Sequence, residues 1–266
     1  ATQEQMTWVL TSYIVAVAIM TPLTGWLSGR FGRKKVFLAS IAGFTIASVL
    51  CGLAQSLPQI VAFRLVQGLS GAALVPLSQA ILLDINPPER HARAMSVWVM
   101  GVTVGPILGP ALGAWLTDNY SWRWVFYINV PIGVASFLGL SSFLSETHLR
   151  RSAFDFFGFT TLAIGIGALQ LMLDRGQLLD WFSSTEIRVE ALTASIALYL
   201  FAVHSATARE PFVDLRIFKD RNFATGSAFI VIVGVLLFAT LALMPPMLQD
   251  LLGYPVMMAG LLTAPR

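Results

Sequence analysis

Long apolar stretches alternate with short polar breaks along the whole chain. Eight of them are long enough to cross a bilayer as helices, at about 8–27, 36–56, 58–82, 94–116, 123–145, 156–173, 187–207 and 224–245. A helix needs about 20 apolar residues to span the hydrocarbon core. The short breaks predict antiparallel neighbours in an all-α bundle, and residues after Tyr254 read as the start of a ninth span. Within 94–116, Gly101, Gly105, Gly109 and Gly113 recur every four residues, with Pro106 and Pro110 between them. On a helix such spacing draws one stripe without side chains, against which another helix can pack closely. Each proline frees a carbonyl one turn earlier, which in lipid has to be satisfied by protein or water. The segment therefore reads as a bent helix inside a bundle. A kinked span with no role in chemistry fits the same spacing.

Composition agrees: the chain is 56% hydrophobic and 12% charged, far from the balance of a soluble domain. The single cysteine, Cys51, lies in an apolar run and reads as a buried, inert thiol. His91, His148 and His204 are dispersed, so no metal site is expected, and no cofactor. The net charge of +3 comes from loops between spans and is not a nucleic-acid signal. Charge sets the orientation instead. Alternate loops carry twelve cations (Arg30, Arg33, Lys34, Lys35, Arg90, Arg93, Arg150, Arg151, Arg209, Arg216, Lys219 and Arg221), whereas the intervening loops carry Arg123, Arg175 and Arg188 only. The positive-inside rule puts the first set in the cytoplasm and the N-terminal stub outside. An outside start, Ala1 in place of Met and an apolar end suggest a piece of a longer protein, with one span preceding Ala1. Trp122, Trp124, Phe126 and Tyr127 at one outer end, and Trp181 and Phe182 at another, have the placement of interfacial belts.

Few residues could carry chemistry. Arg64 falls about two turns inside its span, where a central arginine costs roughly 2.5–3.5 kcal/mol on insertion scales. That cost favours a bundle-facing position with a partner, and Gln67 and Gly68 follow one turn on. Snorkelling to the outer interface is the alternative. Thr11, Thr21, Thr24, Ser78, Gln79, Asn129 and Gln170 either line a cavity or bond between helices. No acid is expected deep in any span; Asp84 and Asp174 fall at span ends and read as solvated. An intramembrane enzyme is disfavoured, because no span supplies a buried nucleophile with a base, paired acids or a metal cluster.

These residues also carry a resemblance. The loop Gly25-x-Leu27-x-x-Arg30-x-Gly32-Arg33-Lys34 resembles the loop signature of the major facilitator superfamily. Arg64-x-x-Gln67-Gly68 is similar to that superfamily's fourth-helix motif, and Gly101-x-x-x-Gly105-Pro106-x-x-Gly109-Pro110 to the fifth-helix antiporter motif of its exporters. Trp122–Gly133 resembles the sixth-helix entry of the 14-helix drug:proton antiporters of the EmrB/QacA type. The resemblance implies helices 2 to 9 of fourteen: an N-terminal bundle over 1–145, an extra central helix pair over 146–210 and the start of a C-terminal bundle over 211–266. It implies a multi-pass transporter of the inner, or cytoplasmic, membrane that exports lipophilic, often cationic drugs against protons by alternating access. Arg64 and Gln67 would couple to protons; Gly25, Arg30, Gly32 and Arg33 would form a cytoplasmic gate loop; the glycine–proline motif would bias the closed state. Besides substrate, protons and lipids, some relatives use a periplasmic adaptor and an outer-membrane channel. A same-fold importer or symporter, and a non-transporting sensor or scaffold, remain as alternatives. The chain departs from the loop signature at Gly29, where an acid is usual, so any clamp there would be made by other groups.

Overall fold

A computed structural model describes residues 3–146, 153–255, 258, 259 and 262. His148, Arg150, Arg151 and Arg266 lie outside the described residues, as do most positions of the expected ninth span. Every regular element among the described residues is helical. In order these are α1 (Gln3–Met20), α2 (Leu23–Phe31), α3 (Arg33–Leu53), α4 (Leu57–Gly71), α5 (Leu74–Asp84), α6 (His91–Asn119), α7 (Trp124–Tyr127), α8 (Asn129–Phe143), α9 (Phe156–Arg175), α10 (Thr185–Thr207) and α11 (Arg221–Pro246). Six helical stretches are long and apolar enough to cross a membrane, and α1 with α2 makes a seventh if that bent pair is one span.

Proline explains the interruptions. The first span, expected to be continuous, breaks at Thr21–Pro22, and its two parts diverge by 57°. Pro22 has no N–H to continue the ladder. Thr21 caps the end of α1 by donating both its amide and its hydroxyl to the carbonyl of Val17, at 2.9 and 2.7 Å. Pro76 likewise follows the break between α4 and α5, and Pro131 the break between α7 and α8. By contrast α6 runs unbroken for 29 residues through Pro106 and Pro110.

The chain forms two compact units. The first comprises residues 1–81 and 126–214. In it α4 packs against both α1 and α3, α3 packs against α8, and the α9–α10 hairpin packs on α1 through α9. Phe37, Ile41, Ala73, Leu77 and Ile81 make its buried apolar cluster, backed by Phe137, Leu140 and Leu144. Glycine permits the closest approach. A side chain at Gly68 would put its Cβ 2.5 Å from the carbonyl oxygen of Tyr13 and 2.8 Å from the Cβ of Ala16, so α1 lies directly on this bare position of α4. The second unit comprises residues 82–125 and 215–266 and is built on α6 and α11. Large apolar side chains such as Phe143 and Ile230 point outward, as helices that meet lipid require.

Candidate functional site

Arg64 sits on α4 and turns into the first unit. Its Nε donates to the carbonyl of Val9 on α1 at 3.1 Å. Its guanidinium also donates to Oε1 of Gln67, one turn along α4, at 2.7 Å. The Gln67 amide passes the bond on, donating from Nε2 to Oγ of Ser48 on α3 at 2.6 Å. Asn129 at the start of α8 donates to the same Oγ at 3.4 Å, and the Cys51 thiol lies 3.9 Å from Oε1 of Gln67. Gln67, Ser48 and Cys51 are almost wholly buried. The guanidinium carbon lies 4.3 Å from the Tyr13 ring centre and 5.8 Å from that of Phe126. Four helical segments thus converge on one cation.

The sequence explains this local order. Arg64 and Gln67 are three apart, hence neighbours on one helix face. Ser48 and Cys51 repeat that spacing on α3. Carbonyl, amide and hydroxyl dipoles, with two ring faces, replace the water that arginine loses. Among the described residues, no carboxylate pairs with Arg64. The bundle-facing expectation is met and snorkelling is not. Phe126 and Tyr127, expected in a belt, face inward instead: Phe126 covers Arg64, and Tyr127 fills the space that a side chain at Gly52 would occupy. Their small helix, α7, turns them off the interface where Pro131 resets the chain.

The basic loop has a second cluster. Gly32 ends α2 at φ +95°, a left-handed conformation that disfavours any side chain, and its N–H bonds the carbonyl of Ser28 at 3.0 Å. The carboxylate of Glu146 lies where a Gly32 Cβ would be and accepts the N–H of Lys34 at 3.2 Å. An acid at the N-terminus of α3 is favoured by the exposed N–H groups and the helix dipole. Lys34 also donates its ammonium to the carbonyl of Ser141 at 2.8 Å. Arg30 stacks over Trp26 at 5.7 Å, while Gly25 faces open space. The acid absent at Gly29 is thus matched by one from the far end of α8.

The stripe of α6 behaves differently. At Gly101, Gly105, Gly109 and Gly113 an added Cβ would meet no atom within 4 Å among the described residues. No described helix covers the stripe. The Pro110 side chain lies outside what the structure describes.

Three acids were misread or missed. Asp174 is not merely solvated: it accepts a hydrogen bond from the buried hydroxyl of Thr11. Glu190 lies within α10, mostly buried, against the expectation that no acid enters a span. Its four-residue spacing from Glu186 was the available signal. Asp155 caps α9, accepting the N–H of Gly158 at 2.9 Å, and binds Nε2 of His204 and the N–H of Phe212, also at 2.9 Å. Burial would raise its carboxyl, but the bonds from Gly158, Phe212 and His204 outweigh that and hold it below its ordinary value. An acid just before an apolar run is a helix-start signal readable in the sequence.

A bundle of long apolar helices that breaks at prolines, with a basic loop at one helix end and a dipole-held arginine inside, defines a multi-pass membrane transporter architecture. The family model described as Major Facilitator Superfamily matches residues 1–265, and the chain belongs to that family. Multidrug export protein EmrB of Escherichia coli strain K12 is 47% identical over 264 residues, covering 98% of this chain and 52% of EmrB. Fatty acid resistance protein FarB of Neisseria gonorrhoeae is 44% identical, covering 100% of this chain and 53% of FarB. Multidrug resistance protein 3 of Bacillus subtilis strain 168 is 34% identical over 98% of this chain. The expected kinship with EmrB-type exporters holds, and the chain spans about half the length of the curated relatives it matches.

Proposed function

We propose that this chain belongs to a proton-coupled exporter of the inner membrane that moves lipophilic, often cationic compounds by alternating access. The observation carrying this reading is the Arg64 site, a desolvated cation held by neutral dipoles alone among the described residues. Such a charge favours the ionised form of any carboxylate brought beside it and so gives up a proton's place to conformational control. Arg64 and Gln67 form the coupling element. Gly25, Arg30, Gly32 and Arg33, clamped by Glu146, form the gate loop. Gly101, Gly105, Pro106, Gly109 and Pro110 form a packing surface for the closed state. In this reading residues 1–145 work as one bundle, 146–210 as an inserted pair and 211–266 as the opening of the second bundle. Names of relatives such as multidrug export protein support a broad cargo range. Hand-over to a periplasmic adaptor and an outer-membrane channel fits the same scheme. In inside-out vesicles carrying the protein, an imposed pH gradient drives ethidium transport, and Arg64→Ala abolishes it at unchanged membrane level. Unchanged transport by that variant overturns the assignment.

A further inference from the structure

A second site lies away from the Arg64 network. Between α1, α9 and α10 there is an open-sided cavity of ≈ 440 Å³. Val15 and Ile19 of α1, Ala168 and Leu171 of α9 and Val189 of α10 give it aliphatic walls, and Glu190 of α10 enters it. Neither Arg64, Gln67 nor Ser48 lines it.

The charges around Glu190 do not balance. Its Oε1 is 3.8 Å from the guanidinium of Arg175, beyond hydrogen-bond reach. That guanidinium is already bonded to both carboxylate oxygens of Glu186 and stacks on Trp8 at 5.2 Å. The other oxygen of Glu190, Oε2, is buried and has no hydrogen-bond partner among the described residues. One cation therefore serves two acids, and a bare carboxylate oxygen faces an oily hollow. Burying such an oxygen unpaired is costly. Water would bond the oxygen but gain little from the walls. A metal ion would lack the several oxygen ligands it needs. An acyl tail would fill the walls and leave the oxygen bare. A cation wrapped in its own apolar groups answers both demands.

We propose that this cavity is a binding site for lipophilic monocations, with Glu190 as the counter-ion. It is distinct from the coupling site, and its relevance to export rests on the function proposed above; binding itself does not. The test uses the purified chain in lipid nanodiscs and tetraphenylphosphonium as probe. Tetraphenylborate, of the same shape and opposite charge, is the control. Glu190→Gln weakens tetraphenylphosphonium binding about tenfold, the order expected from losing one charged partner, and does not weaken tetraphenylborate binding. Ala168→Phe, which fills the hollow, weakens the cation as much. Equal cation binding by wild type and both variants overturns the proposal. So does loss of both ions together in Ala168→Phe with none in Glu190→Gln, which marks a hollow for neutral tails. A measurement that keeps Glu190 guards against misfolding of the variants: in Thr193→Cys protein, tetraphenylphosphonium shields the new thiol from maleimide, and tetraphenylborate does not. Equal shielding by the two ions also overturns the proposal. Export that survives Arg64→Ala would overturn the coupling role and leave this binding result standing.

Discussion

Two regions marked by small and polar residues meet opposite fates. Around Arg64 and Gly68, every feature of the motif is in use: the glycine admits α1, the arginine reaches back to Val9, and the glutamine links α4 to α3. Along α6, four glycines in equally regular spacing touch no atom within 4 Å of where a Cβ would be. The difference is one of chemistry. A buried polar group has a strict requirement, because each unmade bond in an apolar medium costs about 1–3 kcal/mol, so nearby helices must arrange themselves to meet it. A glycine stripe has no requirement of its own. It offers a surface, and only the arrival of a matching helix gives that surface a meaning.

The sharpest way to break this comparison is to place the same side chain in both regions. Gly68→Leu should destabilise the chain by about 3 kcal/mol or more, since the new carbon has no room against the backbone of α1. Gly105→Leu should leave thermal unfolding in detergent within about 0.5 kcal/mol of the parent, as surface changes do. In the transport assay the order should reverse its meaning: Gly105→Leu should slow export more than Val99→Leu, on an exposed position of the same helix. Equal unfolding of Gly68→Leu and Gly105→Leu would erase the distinction drawn here.

A smaller effect is expected from Gln67→Leu, which keeps the volume but leaves Ser48 and one guanidinium nitrogen without their partner. A loss of about 1–3 kcal/mol is expected, read from the unfolding midpoint, and a double change with Ser48→Ala should restore part of it. Simple additivity of the two would mean that the bond between them carries no coupling.

The smallest effect concerns Asp155, whose bonds hold the segment at Phe212 to the start of α9. Its folded carboxyl lies below the ordinary value of 3.8, so its stabilisation is complete above that pH and is lost as pH falls through the lower, folded value. Asp155→Asn should lower the melting temperature near neutral pH and should narrow its gap to the parent as the solution is acidified below 3.8. A gap independent of pH would show that the carboxylate's charge is not what the clasp uses.

Much of this was legible in the residues. Eight apolar stretches announced the helices, and the cost of a mid-span arginine announced that Arg64 would face inward. What could not be read is instructive. Hydropathy averages over about 20 residues, so the break at Thr21–Pro22 vanished into one continuous span. Phe126 and Tyr127 were placed by residue type, but their direction depends on where α7 ends and α8 begins. Glu190 was lost because a single acid near a helix end looks solvated until the neighbouring helix is in place. Glu146 was invisible as a partner of the basic loop, since 112 residues separate it from Lys34. Local spacing encodes which groups share a helix face; it does not encode which distant group arrives to satisfy them.

Gly32 and Glu146 occupy one volume between them, and that has an evolutionary consequence. Any substitution at position 32 introduces a carbon where the carboxylate now rests, in a backbone geometry that already resists it. Descendants of this chain should therefore vary at the two positions in concert, a longer residue at 32 being accompanied by a shorter or uncharged one at 146. The record of paired exchange across many genomes would then reveal the contact without any coordinates at all.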